Sequence, residues 1–179
     1  MGEDLGVTGA ERRQMEADQQ DPRWLAWLSE MDGAVTRFLS ETVPDMPENP
    51  WSAAGLRRAE ATALELFPTP ESVELPENRH VADGFFRFVG EVFRRAFEGR
   101  WQNVPDYDDE QRSHGFGPVV DRPFSENYLD VIPLLTTAVA RRTGQLWASI
   151  FGYSLEDYEA WKAAGRPPLD EWVQLRDRD

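Results

Sequence analysis

Residues 85–101 read FFRFVGEVFRRAFEGRW, and this stretch decides the fold. Its apolar side chains recur at every third and fourth position, which is the period of an α-helix with a wide apolar face. The period begins near Glu77 and stops at Gly99, a residue type that often follows the last turn of a helix. The stretch therefore predicts a helix from Glu77 to Glu98 at the centre of the protein.

Two glycines, Gly84 and Gly90, stand inside this predicted helix. Glycine in a helix interior costs about 1 kcal/mol relative to alanine, because its backbone loses more conformational freedom on folding. A compensating contact is expected. We predict that the backbone of another element approaches the helix closely at these two positions.

The residues after Gly99 change to an extended pattern. Residues 100–104 alternate in polarity, and residues 118–124 form a second short extended run. Two such runs predict a β-hairpin, whose long connection covers residues 105–117. The sequence therefore predicts a predominantly helical α+β fold, with helices packed around a long central helix and a short β-hairpin or small antiparallel sheet.

Helical periodicity also occurs on both sides of the central segment. Asp21 precedes a proline and stands at a position that favours an N-cap. Ser52, Ser125 and Ser154 also stand at positions where an N-cap is expected. The predicted helices cover residues 21–42, residues 53–66, a segment that ends at Gly144, a short segment at 145–151 and a last segment at 154–165.

The first twenty residues are polar and contain no aromatic side chain. Such a segment cannot bury enough apolar surface to offset the entropy lost on ordering it. We therefore expect residues 1–20 to form a mobile acidic arm or frayed helix, and residues 21–179 to form a single globular domain. Seven Trp, ten Phe and four Tyr supply the material for its core.

Composition excludes several classes of site. The 179 residues include no cysteine, which rules out disulfides, zinc–thiolate sites, iron–sulfur clusters and thiol catalysis. The net charge of −14 opposes binding to nucleic-acid phosphates or anionic lipids and favours a basic partner. The chain starts with MGED, which lacks the features of a secretory signal, and no apolar run is long enough to span a membrane. We expect a cytoplasmic protein.

Short catalytic and metal-binding motifs do not fit the sequence. Residues 115–117 (GFG) lack the strand, the helix and the Lys-Ser pair of a phosphate-binding loop. Residues 106–110 alternate like calcium ligands, but Gln111 stands where such a loop requires glycine. His80 and His114 lie far apart, with no second histidine at helical spacing. No catalytic residue, metal site or cofactor is predicted.

An acidic segment inside the hairpin connection is the candidate binding site. Residues 106–110 read DYDDE, which places four carboxylates around one aromatic ring. Long irregular connections are either functional or simply solvated, and both interpretations stay open. In the functional interpretation the carboxylates attract a basic partner, and Tyr107 or Phe116 is its buried anchor. The candidate partner-binding residues are Asp106, Tyr107, Asp108, Asp109, Glu110, His114 and Phe116.

The stretch from Phe85 to Trp101, with the hairpin after it, resembles small uncharacterised bacterial α+β domains. In these domains a long helix ends in Gly-Arg-Trp, as at residues 99–101, and leads into a hairpin. A helix rich in Leu, Thr and Ala then follows. Some similar acidic α+β proteins serve as immunity factors for bacterial toxins, so the resemblance implies the same role for this chain.

The sequence favours a soluble, acidic protein–protein interaction domain without enzymatic activity, with a toxin-neutralising immunity protein as its concrete form. Two alternatives stay open. One is a small ligand-binding domain or enzyme in which His114, Tyr107 and nearby carboxylates line a pocket between the hairpin and the long helix. A deep pocket lined by Arg87, Trp101 and His114 would favour this alternative. The other is a structural subunit of a larger assembly, which would expose a contiguous apolar patch. The sequence determines neither the partner nor the oligomeric state.

Overall fold

The computed structural model of the chain describes residues 7–105 and 115–177. Helices dominate, and one small antiparallel sheet accompanies them, which confirms the predicted α+β class. In these two ranges the α-helices are α1 (Gly9–Asp18), α2 (Pro22–Ser29), α3 (Met31–Arg37), α4 (Ala53–Leu66), α5 (Pro70–Glu74), α6 (Arg79–Ala96), α7 (Val131–Arg141), α8 (Leu146–Ala163) and α9 (Leu169–Arg176). The strands are β1 (Arg100–Asn103), β2 (Pro118–Asp121) and β3 (Leu129–Asp130).

Helix α6 is the predicted central helix and organises the core. Phe85, Phe88, Val92 and Phe93 on this helix are completely buried. The helix contacts α3, α4, α5 and α7, as well as strands β1 and β2. It is two residues shorter than predicted at each end, because residues 76–78 form a 3₁₀ turn before it and Phe97 leaves the helical conformation after it.

The glycines of α6 face aromatic rings. A Cβ atom at Gly90 would overlap the indole of Trp101, and one at Gly84 would lie 3.1 Å from Cδ2 of Phe38. The predicted close approach is therefore present. The approaching groups, however, are aromatic side chains and not the backbone, because each ring uses the space that a side chain would otherwise fill.

The hairpin that follows α6 is confirmed. β1 and β2 pair antiparallel, with Trp101 opposite Val120 and Asn103 opposite Pro118. A third strand that the sequence did not predict, β3, pairs with the other edge of β2, which gives the order β1-β2-β3. β1 is consequently an edge strand of this sheet.

The helix predicted at residues 21–42 is divided into three parts. Asp21 caps α2 as expected, since its side chain accepts a hydrogen bond from the Arg23 backbone N–H. Helix α2 ends at Ser29, however, and α3 begins at Met31, with Glu30 between them. After α3, residues 38–42 form a π-helical turn, in which the backbone N–H of Val43 donates to the carbonyl of Phe38 at 2.9 Å.

The two helices predicted at 145–151 and 154–165 are one continuous helix, α8. Ser154 therefore does not cap a helix, and its buried hydroxyl accepts a hydrogen bond of 2.8 Å from Nη1 of Arg122. Ser52 does cap α4, by accepting from the backbone N–H of Gly55. The Ser125 hydroxyl accepts from the backbone N–H of Asn127, two residues on, so Ser125 stabilises a turn.

The N-terminal segment contains helix α1, which begins with a capping box formed by Thr8 and Glu11. None of its residues is buried. Gln19, one residue after the helix, is hydrogen-bonded to β1, as described below. The expected division between an N-terminal arm and a domain at residue 20 stays a prediction, but these bonds tie the last residues of the arm to the sheet.

Candidate functional site

Most of the predicted partner-binding residues lie outside the described ranges. These are Asp106, Tyr107, Asp108, Asp109, Glu110 and His114. The structure does describe the two ends of the hairpin connection, up to Pro105 and from Gly115 onwards. It therefore shows how the acidic segment is attached to the fold.

Phe116, the seventh predicted residue, is only 5% exposed. Its ring packs edge-on against the indoles of Trp24 and Trp27, with centroids 5.6 and 5.8 Å apart. The prediction that Phe116 anchors a partner is therefore corrected. The ring belongs to the protein's own core, where it holds the C-terminal end of the hairpin connection against α2.

The aromatic cluster around Phe116 joins α2, α6 and β1. Trp24 and Trp27 stack at 5.4 Å, and Trp101 of β1 meets Trp27 edge-on at 5.1 Å. On the other side of the cluster, the guanidinium of Arg87 lies 4.2 Å from the Trp27 ring centroid. Ring contacts of this kind add to the free energy of burial, so β1 and the residues just before β2 are packed firmly against α2.

Trp101 is fixed by a buried carboxylate. Its Nε1–H donates to Glu91 at 2.8 Å, and the same carboxylate accepts hydrogen bonds from Arg94 and Arg95 at 2.7 and 3.0 Å. Burial by itself raises the pKa of Glu91, but the bonds from Arg94, Trp101 and Arg95 outweigh it and the net pKa is lowered. Glu91 is therefore ionised at neutral pH and orients the indole.

Asn103, which is 2% exposed, makes four hydrogen bonds that join three parts of the chain. Its own N–H and C=O are both hydrogen-bonded to the side chain of Gln19, at 2.9 and 2.8 Å. Its side chain donates to the carbonyl of Asp18 at 2.8 Å and accepts from the N–H of Gly117 at 2.9 Å. A single side chain therefore joins the end of α1, the start of the acidic connection and its return.

An open groove of about 380 Å³ lies beside this junction. One face of α1 forms one wall, and β1 with the residues after it forms the other. Apolar and amide side chains predominate in its lining, which contains Met15, Gln102, Val104, Pro105 and Tyr128. Pro105, the last described residue before the acidic segment, is among the lining residues of the groove.

The ligand-binding alternative would be favoured by a deep pocket lined by Arg87, Trp101 and His114. Trp101 is packed between Gly90 and Trp27, while Arg87 binds Asp83 at 2.6 Å and lines a separate polar cleft of about 210 Å³. His80 lines this cleft as well, whereas His114 lies outside the described residues. Arg87 and Trp101 both pack against Trp27, and they do not line one common pocket in the described residues.

The residues that form the groove and its junction were not predicted from the sequence. Gln19 and Asn103 carried no signal, because a hydrogen bond between residues 84 positions apart cannot be inferred from spacing. The face of α1 could have been found. Glu11, Met15 and Asp18 follow one another at intervals of four and three, which places them on one side of a helix.

Among residues 7–105 and 115–177, no group of three or more His, Asp or Glu side chains is arranged to hold a metal ion. Over the same ranges, no helix has both the length and the apolar character needed to cross a membrane. No family model, curated protein or solved structure matches this chain.

Proposed function

We propose that the chain is an acidic protein–protein interaction domain that docks on a basic protein through the connection between β1 and β2. The net charge of −14 and the DYDDE sequence at 106–110 support this proposal. Negative charge concentrated in one segment attracts a basic surface and raises the rate of encounter.

The observation that carries the proposal is the way in which the acidic connection is attached. At its start, the N–H of Val104 donates to the carbonyl of Gly117 at 2.8 Å. The side chain of Asn103, just before the connection, accepts a hydrogen bond from the N–H of Gly117 near its end. At its end, Phe116 is buried among tryptophans. Fixed ends reduce the conformational entropy that the connection loses on binding, so more of the attraction is available as affinity.

In its concrete form, the proposal is an immunity protein. A toxin that acts on an anionic substrate has a cationic cleft, and an acidic segment would be attracted to that cleft and block it. Association would be fast at low salt and slower at high salt, because dissolved ions screen charges over about 10 Å at 0.1 M. Catalysis by this chain is not required.

Affinity capture from the native cell tests the proposal. The test variant is Asp106→Asn, Asp108→Asn, Asp109→Asn and Glu110→Gln, which removes four negative charges from the connection. The matched control removes four charges elsewhere, by Glu65→Gln, Glu74→Gln, Glu77→Gln and Glu156→Gln at exposed positions. The two variants have the same net charge, so they separate a local effect from a general one.

We expect wild type and control to retain the same basic partner, and the connection variant to lose it. Because electrostatic steering changes association rates by about tenfold or more, the loss should be clear. Equal capture by all three proteins, with equal dependence on salt, would rule out the connection as the docking site.

The alternative of a small ligand-binding domain is favoured by one observation, the partly apolar groove beside Asn103. Ligand sites typically combine apolar walls with a few polar groups, and the groove has both. A screen of small molecules by thermal shift distinguishes the two proposals. A ligand that stabilises wild type and the connection variant equally favours the alternative, whereas partner binding that depends on residues 106–110 favours docking.

A further inference from the structure

Arg122, directly after β2, is a buried arginine whose hydrogen-bond acceptors are all uncharged. The residue is 8% exposed. In the described ranges, its guanidinium donates to Oγ of Ser154 at 2.8 Å, to Oγ of Ser125 at 3.4 Å and to the carbonyl of Asn127 at 3.2 Å. Buried charges are normally paired with an opposite charge, because removing an unpaired charge from water is costly. Within these ranges, Arg122 is therefore held by neutral groups where a counter-ion is expected.

The edge of the guanidinium formed by Nε and Nη2 is the part that is used least. The Nε–H is buried and has no hydrogen-bond partner in the residues that the structure describes. Nη2 makes the two longer bonds, to Ser125 and Asn127. In Arg94 of the same protein, this edge binds both carboxylate oxygens of Glu91, at 2.7 and 3.0 Å. Two parallel N–H donors match a carboxylate or a phosphate, so the edge of Arg122 is suited to an oxyanion.

The charges around Arg122 agree with this interpretation. Burial lowers the pKa of Arg122, and the negative charges of Asp157 and Asp121 offset this effect only in part. Asp121 is already paired with Arg100 at 2.9 Å, and Asp157 is exposed to solvent. Arginine stays protonated at neutral pH in spite of burial. An anion at the Nε–Nη2 edge would therefore supply charge that the two aspartates do not fully provide.

Ser125 has a hydroxyl that touches this edge and also reaches the surface. The residue is half-buried in the turn between β2 and β3, and the next two residues, Glu126 and Asn127, are exposed. Its Oγ accepts a hydrogen bond of 3.3 Å from the backbone N–H of Asn127. Ser154, by contrast, is buried and bonds to Nη1. Ser125 is therefore the serine beside Arg122 that an enzyme could reach.

We propose that Ser125 is a phosphorylation site whose phosphate pairs with Nε and Nη2 of Arg122. A phosphoserine carries nearly two negative charges at neutral pH and three strong acceptor oxygens, which pair well with arginine. The bond from Nη1 to Ser154 fixes the guanidinium in advance, so little side-chain entropy is lost when the phosphate pairs with it. The inference goes beyond the proposed docking function and does not depend on it.

The modification is a phosphoryl transfer from a nucleoside triphosphate, catalysed by a protein kinase. Oγ of Ser125 forms a bond to the γ-phosphorus, and the bond from that phosphorus to the bridging oxygen breaks. The nucleoside diphosphate leaves, and the hydroxyl proton passes to a base of the kinase. Ser125 then loses the bond of 3.1 Å that its hydroxyl donates to the carbonyl of Asn127. Its ester oxygen and the phosphate oxygens remain as acceptors.

Arginine Nε–H NMR tests the pairing directly. The protein is prepared with ¹⁵N-labelled arginine and with Ser125→phosphoserine, installed by genetic code expansion. The control is Ser149→phosphoserine, which adds the same charge at an exposed position of α8. We expect the Arg122 Nε–H signal to move downfield when position 125 is modified, and to stay unchanged in the control. The signal of Arg94, which is already bound to Glu91, should not move in either protein.

Phosphorus NMR of the same two proteins measures the electrostatic effect. An arginine within hydrogen-bonding distance favours the doubly charged phosphate, so the titration midpoint at position 125 should lie about one pH unit below that at position 149. Arg122→Lys keeps the positive charge and removes the two-donor edge. Combined with Ser125→phosphoserine, it should move the midpoint most of the way back to that of the control. If Arg122→Lys does not fold, the labelled-arginine measurement still decides, because it leaves Arg122 in place.

Mass spectrometry of the protein from its native cell, purified with phosphatase inhibitors, should find phosphate on Ser125. Three results would overturn the inference: an unchanged Arg122 signal, equal titration midpoints at the two positions, and no phosphate on Ser125 in the native protein. Inorganic phosphate distinguishes the covalent group from a free anion. If inorganic phosphate moves the Arg122 signal of the unmodified protein in a saturable way, the edge is a site for a free anion and the proposed modification is wrong.

Discussion

The two sides of strand β1 are stabilised in different ways. On one side, the indole of Trp101 fills the space above Gly90, meets Trp27 and is bonded to a buried carboxylate. On the other side, α1 buries none of its residues. Hydrogen bonds between the side-chain amide of Gln19 and the backbone of Asn103 tie the end of the helix to β1. Burial makes the first side a permanent part of the core. The second side keeps apolar and acidic groups exposed.

The largest effect is expected from Gly90→Ala, on the packed side of β1. The added methyl group would overlap the Trp101 ring, which must move and lose its bond to Glu91. We expect a loss of about 3 kcal/mol in the free energy of unfolding, since overpacking in a filled core costs about that much. Urea denaturation followed by tryptophan fluorescence measures it.

The control for this substitution is Gly152→Ala, in the middle of α8. No atom would lie within 4 Å of the new methyl group there, so helix propensity alone should act. We expect a gain of up to about 1 kcal/mol. If Gly90→Ala were as stable as Gly152→Ala, the account of the packed side would be wrong.

A smaller effect is expected at the junction between the two sides. Asn103→Ala leaves the Gly117 N–H and the Asp18 carbonyl without their partner at a buried position. Together, the two unsatisfied groups should lower the free energy of unfolding by about 2 kcal/mol. The midpoint of urea unfolding gives the value, and Gln102→Ala, the neighbouring residue of β1, is the control. Equal midpoints for the two variants would contradict the role given to Asn103.

Glu91→Gln tests the carboxylate on the packed side through its pH dependence. The lowered pKa of Glu91 means that its ionised form stabilises the folded state above the ordinary value of 4.5, and that this contribution is lost as the pH falls through the folded-state pKa. At pH 7 we expect the variant to be about 1–2 kcal/mol less stable than wild type, as for other bonds to charged groups. The difference should shrink in acid. A constant difference from neutral to acidic pH would contradict this assignment.

The smallest effect on overall stability is expected on the open side. Gln19→Ala removes both bonds to the backbone of Asn103, at a cost of about 1 kcal/mol. The change should be local. Amide hydrogen exchange of residues 9–18 should become faster, with α6 unaffected and with Gln20→Ala as the control. Unchanged exchange in α1 would show that something other than Gln19 holds the helix.

Features that depend on neighbouring residues could be predicted from the sequence. The central helix follows from the period of its apolar residues, and the caps at Asp21 and Ser52 follow from side chains that bond to the next few N–H groups. The hairpin follows from the alternation after Gly99. Each of these signals is local, so a single sequence contains it.

Features that depend on distant residues could not be predicted. Strand β3 has two residues, too few for a period, and exists because β2 offers an edge. Helix α8 continues through Ser154, whose hydroxyl accepts a hydrogen bond from Arg122, 32 positions away, and does not cap a helix. For the same reason, the groove was missed although the spacing of Glu11, Met15 and Asp18 was present in the sequence.

The central claim is that the acidic connection between β1 and β2 attracts a basic partner. The most direct measurement is the association rate of the captured partner with wild type, with the four-residue connection variant and with the four-residue control, over a series of salt concentrations. The account predicts that the rates of wild type and control fall together as salt rises, while the connection variant associates slowly and almost independently of salt. Identical rates and identical salt dependence for all three proteins would contradict it.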